Sequence, residues 1–292
     1  MKTVRKIKAV RPSVPTLEGA GVRLRRAFGF EKVPGLDPFL LLDDFHSNDP
    51  DDYVAGFPWH PHRGIETITY VLKGEIEHGD SLGNKGLIGP GDVQWMTSGS
   101  GIIHQEMPRE PEDGVLQGFQ LWANLPAADK MMMPRYRDVQ SRQIPVISRE
   151  NGVRIKLVCG RISGVQGPVQ GIQTDPEFLD VEVPAGAGFS HPLPAGYAVF
   201  AYVFAGKGYF DPRKKALIGT ENLVTFSDGD SVEVAAGDET LRFLLISGKP
   251  LQEPVAWRGP IVMNTEEELR LAFAEYAEGT FLKHRIGQQS KN

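Results

Sequence analysis

The stretch GFPWHPHRGIETITYVLKG, residues 56–74, places His60 and His62 two positions apart and Glu66 four further on. Residues i and i+2 of a strand point to the same face, so an extended 60–66 sends all three side chains to one side. A second stretch, SGSGIIHQEMP, repeats the device with His104 and Glu106. Two strands, each with a same-face pair, can converge their donors on one point inside a small barrel. A lone His-x-His is usually incidental. His-x-His together with His-x-Glu in one β-rich region points to a metal site. Three neutral imidazoles and one carboxylate, without a thiolate, suit Fe(II), Mn(II), Co(II) or Ni(II) better than a closed structural zinc site. Such a set leaves exchangeable positions on a six-coordinate ion, as oxygen activation or substrate chelation requires. Spacing alone leaves open whether Glu66 or Glu106 is the carboxylate ligand.

The elements that must hold these residues read as strands. Short β-branched and aromatic runs, among them TITYVL (67–72), FQLWANL (119–125), AVFAYVF (198–204) and TLRFLLISG (240–248), are punctuated by 33 glycines and 22 prolines. Many short strands separated by Gly, Pro and Asp turns predict an all-β sandwich or barrel. Gln120, Trp122 and Asn124 share parity on one of them, which lets Gln120 reach toward the cavity. One helix is expected late, in NTEEELRLAFAEYAE, with Thr265 as N-cap and Glu268 completing a capping box. Leu269, Phe273 and Tyr276 then share its docking face.

The chain also repeats itself. TYVLKGEIEHGD (69–80) resembles AYVFAGKGYFDP (201–212), and IGPGDVQWM (88–96) resembles FSDGDSVEV (226–234). Two copies of one β-unit are inferred, joined near 134–150, with domains expected at 1–140 and 141–292 and the terminal helix in the second. Carrying the first pair of histidines across the repeat lands on Pro192 and Pro194, and carrying His104 and Glu106 across lands on Arg242 and Leu244. His191 lies one residue off register without a second donor at ligand spacing. A fold that needed these polar residues for stability would have kept them in both halves, so one metal per chain is expected, in the first half.

Whole-chain properties exclude other classes. A formal net charge of −5 gives no reason to expect nucleic acid as a partner. A single cysteine, Cys159, cannot close an intramolecular disulfide and fits a reducing compartment. No apolar run approaches the ~18 residues of a membrane span, and the basic start MKTVRKIKAV lacks a signal-peptide core. The expectation is a cytoplasmic protein.

The motifs resemble the two metal motifs of the cupin superfamily and, more narrowly, the pirin family. HPHRGIET, QWMTSGSGIIHQE, LDPFLLLDDF, GFQLWANLP and GPIVMNT carry the resemblance across nearly the whole chain. It implies a bicupin, two tandem double-stranded β-helix barrels, with metal only in the N-terminal one. It also implies iron, Fe(II), on His60, His62, His104 and Glu106, with Glu66 left as an acceptor behind the ligands, although most cupins use the glutamate that falls on Glu66. Trp59 departs from the aspartate common in pirins; its opposite parity turns it away from the metal. Many members resemble quercetin 2,3-dioxygenases, which implies cleavage of a flavonol by O2 with loss of carbon monoxide and Glu106 as base for the 3-hydroxyl proton. The rival reading, also implied by the family, is a redox-sensing iron protein that binds a transcription factor or a metabolic enzyme. A sugar isomerase on this fold is disfavoured because no basic cluster for phosphate accompanies the motif.

Overall fold

The structure, a computed structural model of the chain, describes residues 3–30 and 35–284. It divides into two β-rich units. The first, the histidine unit, is formed by Pro15–Glu31, Phe39–Ser141 and Gln252–Asn292; the second by Met1–Val14, Lys32–Pro38 and Arg142–Leu251.

In the histidine unit, seven strands form one sheet in the spatial order Arg135–Val139, Val93–Thr97, Ile65–Lys73, Gln117–Asn124, Phe39–Asp44, Val22–Phe28, Val14–Glu18. A four-stranded sheet runs Phe57–His62, Ile102–Arg109, Glu75–Asp80, Lys85–Ile88. Alternation along the strands decides what lies between them. Val22 and Leu24 from one sheet and Ile76 and Ile88 from the other meet in a single buried cluster with Val71 and Leu116, the expected core of two stacked antiparallel sheets.

The second unit repeats the plan. Its seven-stranded sheet runs Ile7–Pro12, Asn222–Phe226, Ala198–Ala205, Leu241–Gly248, Glu177–Val183, Arg154–Cys159, Val146–Ser148, and its smaller sheet Gly188–Pro192, Ser231–Ala236, Gly208–Tyr209. The central pairings correspond one to one: Thr67 opposes Trp122, which opposes Leu41, as Val199 opposes Ser247, which opposes Glu177. Its core cluster includes Leu157, Val181, Val203, Val232 and Phe243, each fully buried. The fold is a mostly-β bicupin with one short C-terminal helix, its jelly rolls formed of facing sheets without a continuous closed ladder.

The two ends of the chain cross the linear boundary expected near 140. Ile7–Pro12 pairs with Asn222–Phe226, and the buried Arg5 guanidinium donates to the carbonyls of Pro194, Tyr197 and Ser227. The N-terminal strand thus completes the second sheet. The terminal segment goes the other way. Its hairpin Ala256–Arg258/Ile261–Met263 and its helix Glu266–Ala277 bury Ile261, Met263, Leu269 and Ala272 with Phe281 and Ile103, so the helix belongs with the histidine unit and not with residues 141–251. The Thr265–Glu268 capping box is formed. The docking face is centred on Leu269 and Ala272 instead of reaching Tyr276, which is 41% exposed. Alanine, invisible to a search for large apolar residues, lets the helix approach closely.

Candidate metal centre

Two neighbouring strands of the smaller sheet build the site. In the register of Phe57–His62 with Ile102–Arg109, His60 opposes His104 directly and His62 opposes Ile102. Two residues along one strand and one across the ladder therefore bring three imidazoles together. Ring centroids are 4.4 Å apart for His60–His104, 4.8 Å for His60–His62 and 5.0 Å for His62–His104. One nitrogen from each ring lies within 4.8 Å of the other two, the only such group of three or more metal-ligating side chains among the described residues.

Hydrogen bonding sets which nitrogens are available. His60 Nδ1 lies 2.8 Å from the Pro58 carbonyl and His62 Nδ1 lies 3.0 Å from the Pro260 carbonyl. A carbonyl only accepts, so both rings carry their proton on Nδ1, an assignment made from the partner atoms. In the neutral tautomers so defined each Nε2 presents a lone pair, and the two Nε2 atoms lie 3.1 Å apart. Two lone pairs at that distance repel unless a cation sits between them. His104, buried like His62, has no hydrogen-bond partner at either ring nitrogen. Burial, followed by the neighbouring imidazoles, holds His62 and His104 well below the ordinary histidine range, so both are neutral, the form that ligates. The donor set fits a divalent transition-metal ion.

Glu106 shares the strand face of His104 but lies outside the three-histidine group. Thr69 Oγ1 donates to its Oε1 at 2.7 Å and Gln120 Nε2 to its Oε2 at 2.8 Å. The Gln120 amide is in turn oriented by Trp122, whose Nε1 donates to Gln120 Oε1 at 3.2 Å and whose indole packs edge-on against His62 at 5.0 Å. Gln120 thus touches the carboxylate itself.

Glu66 departs from the face that parity assigned it. The chain turns at Gly64, with φ +79 and so little room that a Cβ there would lie 1.9 Å from the Val262 carbonyl oxygen. The turn ends the histidine strand, and Ile65–Lys73 starts afresh in the larger sheet. Thr69 faces Glu106, so Glu66, of opposite parity, faces the other side. There it accepts from Thr97 Oγ1 at 2.7 Å, and burial raises its pKa. It orients none of the three imidazoles.

Several contributors escaped sequence reasoning. Pro260, whose carbonyl holds His62, lies 198 residues away in sequence. Lys130 is buried and donates to the carbonyls of Gly64 and Val262 and to Asn124 Oδ1, fixing the Gly64 turn against the terminal hairpin. Arg63 reaches neither substrate space nor a loop carboxylate. It bonds the carbonyls of Ser100 and Phe281 and pairs with Glu275 of the terminal helix. His78 opposes Glu106 on the next strand and meets the Tyr136 hydroxyl at 2.5 Å. None of these leaves a local signal at its own position.

A cavity of about 670 Å³ opens beside His60 and His62, walled by Leu41, Phe57, Gln120, Trp122 and Trp257 among others. That size lies within the range of small-molecule sites. Trp59 turns outward, 52% exposed, as its parity indicated.

Two cupin-type units, one of which carries the only three-histidine group among the described residues, define the class, a bicupin with a candidate metal centre. Comparison with known proteins narrows it. The pirin family model matches residues 21–123 and the model of the pirin C-terminal cupin domain residues 178–282. The chain belongs to the pirin family. It is 43% identical, over 91% of its length and 94% of the relative's, to a Pseudomonas aeruginosa protein that carries the provisional name quercetin 2,3-dioxygenase. It is 40% identical to human pirin over 89% of this chain and 88% of that one. The crystal structure of a quercetin 2,3-dioxygenase from Acinetobacter baumannii superposes with a TM-score of 0.87 at 30% identity, covering 96% of this chain and 99% of that one. No helix among the described residues is long and apolar enough to cross a membrane.

Proposed function

We propose that the protein is a metal-dependent dioxygenase, with iron as the resident metal, that cleaves a flavonol such as quercetin with O2. The observation that carries the metal is the pair of Nε2 lone pairs 3.1 Å apart, each imidazole held in that tautomer by a carbonyl, beside an unpartnered His104. The likeness to proteins named quercetin 2,3-dioxygenase supports the substrate class. His60, His62 and His104 hold the ion, and Glu106 supplies the anionic ligand. The bound ion supplies Lewis acidity toward the 3-hydroxyl and 4-carbonyl oxygens of the flavonol and a site for O2.

The remaining work falls to this chain's own groups. A carboxylate is the base available next to the histidines, and Glu106 accepts the 3-hydroxyl proton through one of its oxygens. Thr69 and Gln120 keep those oxygens oriented, since each donates one hydrogen bond to a different oxygen. Leu41, Phe57 and Trp122 present apolar surface to the reacting ring.

The test is metal analysis of the purified protein followed by quercetin turnover on admitting O2 to an anaerobic mixture. Quercetin loss with carbon monoxide release, well above that of the metal-free protein, is expected. Metal-loaded protein that leaves quercetin intact in the presence of O2 would exclude the reading.

A further inference from the structure

The wall of the cavity continues well beyond the histidines. From His62 the rings succeed one another outward: Trp122 at 5.0 Å, Trp257 a further 6.1 Å on, and Phe30 5.2 Å beyond that, with interplanar angles of 84°, 45° and 88°. Phe30 ends the row at the rim and is 70% exposed. Both indole N–H groups already have acceptors, Trp122 at Gln120 Oε1 and Trp257 at the Gly259 carbonyl at 2.8 Å. A ligand in the cavity therefore meets carbon surface along this wall. The hydrogen bond to Gly259 also fixes the Trp257 indole on its hairpin, so the wall is formed before a ligand arrives and costs little ordering on binding. A chelating ring system at the histidines lies beside Trp122, and Trp257 is the next ring along the row.

On the dioxygenase reading given above, we propose that Trp257 is a specificity-determining residue that binds the part of the substrate extending away from the metal, so that the site selects planar aromatic molecules longer than the chelating bicycle. The hairpin Ala256–Arg258/Ile261–Met263 then has two tasks: Pro260 holds a ligand imidazole while Trp257 reads the far ring. Ring-on-ring contact together with the apolar area it buries is worth about tenfold in affinity, ~1.4 kcal/mol.

Two fluorescent probes separate the parts: 3-hydroxychromone, which has the chelating bicycle alone, and 3-hydroxyflavone, which adds the aryl ring. Each is titrated under anaerobic conditions into metal-loaded wild type, Trp257→Ala and Trp257→Phe, with metal content measured for all three. In wild type, 3-hydroxyflavone is expected to bind about tenfold tighter. Trp257→Ala should remove most of that advantage while leaving 3-hydroxychromone affinity and metal content unchanged, and Trp257→Phe should restore most of it. Equal binding of the two probes by wild type, or equal weakening of both by Trp257→Ala, overturns the assignment to Trp257 and leaves the dioxygenase reading standing. Failure of both probes to bind metal-loaded wild type overturns the dioxygenase reading and this one with it.

Discussion

The two cupin units share the strand order at the centre of their seven-stranded sheets, differ in their smaller sheets of four and three strands, and put different chemistry on them. In the histidine unit, Phe57–His62 lies beside Ile102–Arg109, and His60 faces His104 across the ladder. In the second unit the counterpart strands are Gly188–Pro192 and Ser231–Ala236, and there His191 faces Val232. His191 Nε2 is paired with Glu177 Oε2 at 2.8 Å. That imidazole has a carboxylate partner at one ring nitrogen, while its buried Nδ1 has none among the described residues. In the first unit the Nε2 atoms of His60 and His62 converge at 3.1 Å, and neither ring nitrogen of His104 has a hydrogen-bond partner among the described residues. Beyond the ligands the contrast holds: where the first unit has Leu41 and Trp122 side by side, the second has Glu177 and Ser247. The same strand plan thus carries a three-histidine group in one copy and none among the described residues of the other.

The largest expected consequence concerns the histidines. His60→Gln and His62→Gln should each fold, because burial of the apolar strand faces at roughly 25 cal/mol per Å² outweighs one polar site. Each should lose nearly all bound metal and flavonol turnover; metal content measured beside thermal unfolding decides it. Unfolding of either variant at ordinary temperature would instead make the pair structural and dissolve the contrast with His191. Next in size is Glu106→Gln, which removes the proposed anionic ligand and base. Turnover should fall by ~100- to 10,000-fold, the range of general acid–base contributions, as read in a steady-state assay at saturating metal. Turnover within a few-fold of wild type would move those roles off Glu106. A smaller effect is expected for Trp122→Phe, which keeps an aromatic ring against His62 but loses the N–H that orients Gln120. One neutral hydrogen bond, ~1 kcal/mol, corresponds to about fivefold in kcat with the melting temperature little changed. A rise confined to KM, with kcat unchanged, would assign Trp122 to substrate contact alone.

Much of this arrangement was legible in the sequence because two short-range rules suffice for it. Strand parity pairs His60 with His62 and His104 with Glu106, and the weak repeat shows that only one half has such pairs. The same parity rule misplaced Glu66, because it assumes an unbroken strand and the chain turns at Gly64 between two sheets. Glycine there was visible, but its need for φ +79 and for the close Val262 carbonyl was not. The hardest features to read were those joining distant segments. Pro260 on His62, Lys130 on the Gly64 turn and Trp257 on the cavity wall depend on the terminal hairpin returning to the first unit. A linear boundary near 140 hides that return, and so does the exchange of the N-terminal strand into the second sheet. Backbone carbonyls as partners leave no mark in residue identity at all.

The central claim, one metal centre held by three histidines of the first unit, is tested most directly by counting metal per chain in three proteins prepared alike: wild type, His62→Gln and His191→Gln. About one ion per chain is expected in wild type and in His191→Gln, and close to none in His62→Gln. About two ions in wild type, or one ion retained in His62→Gln, would contradict it.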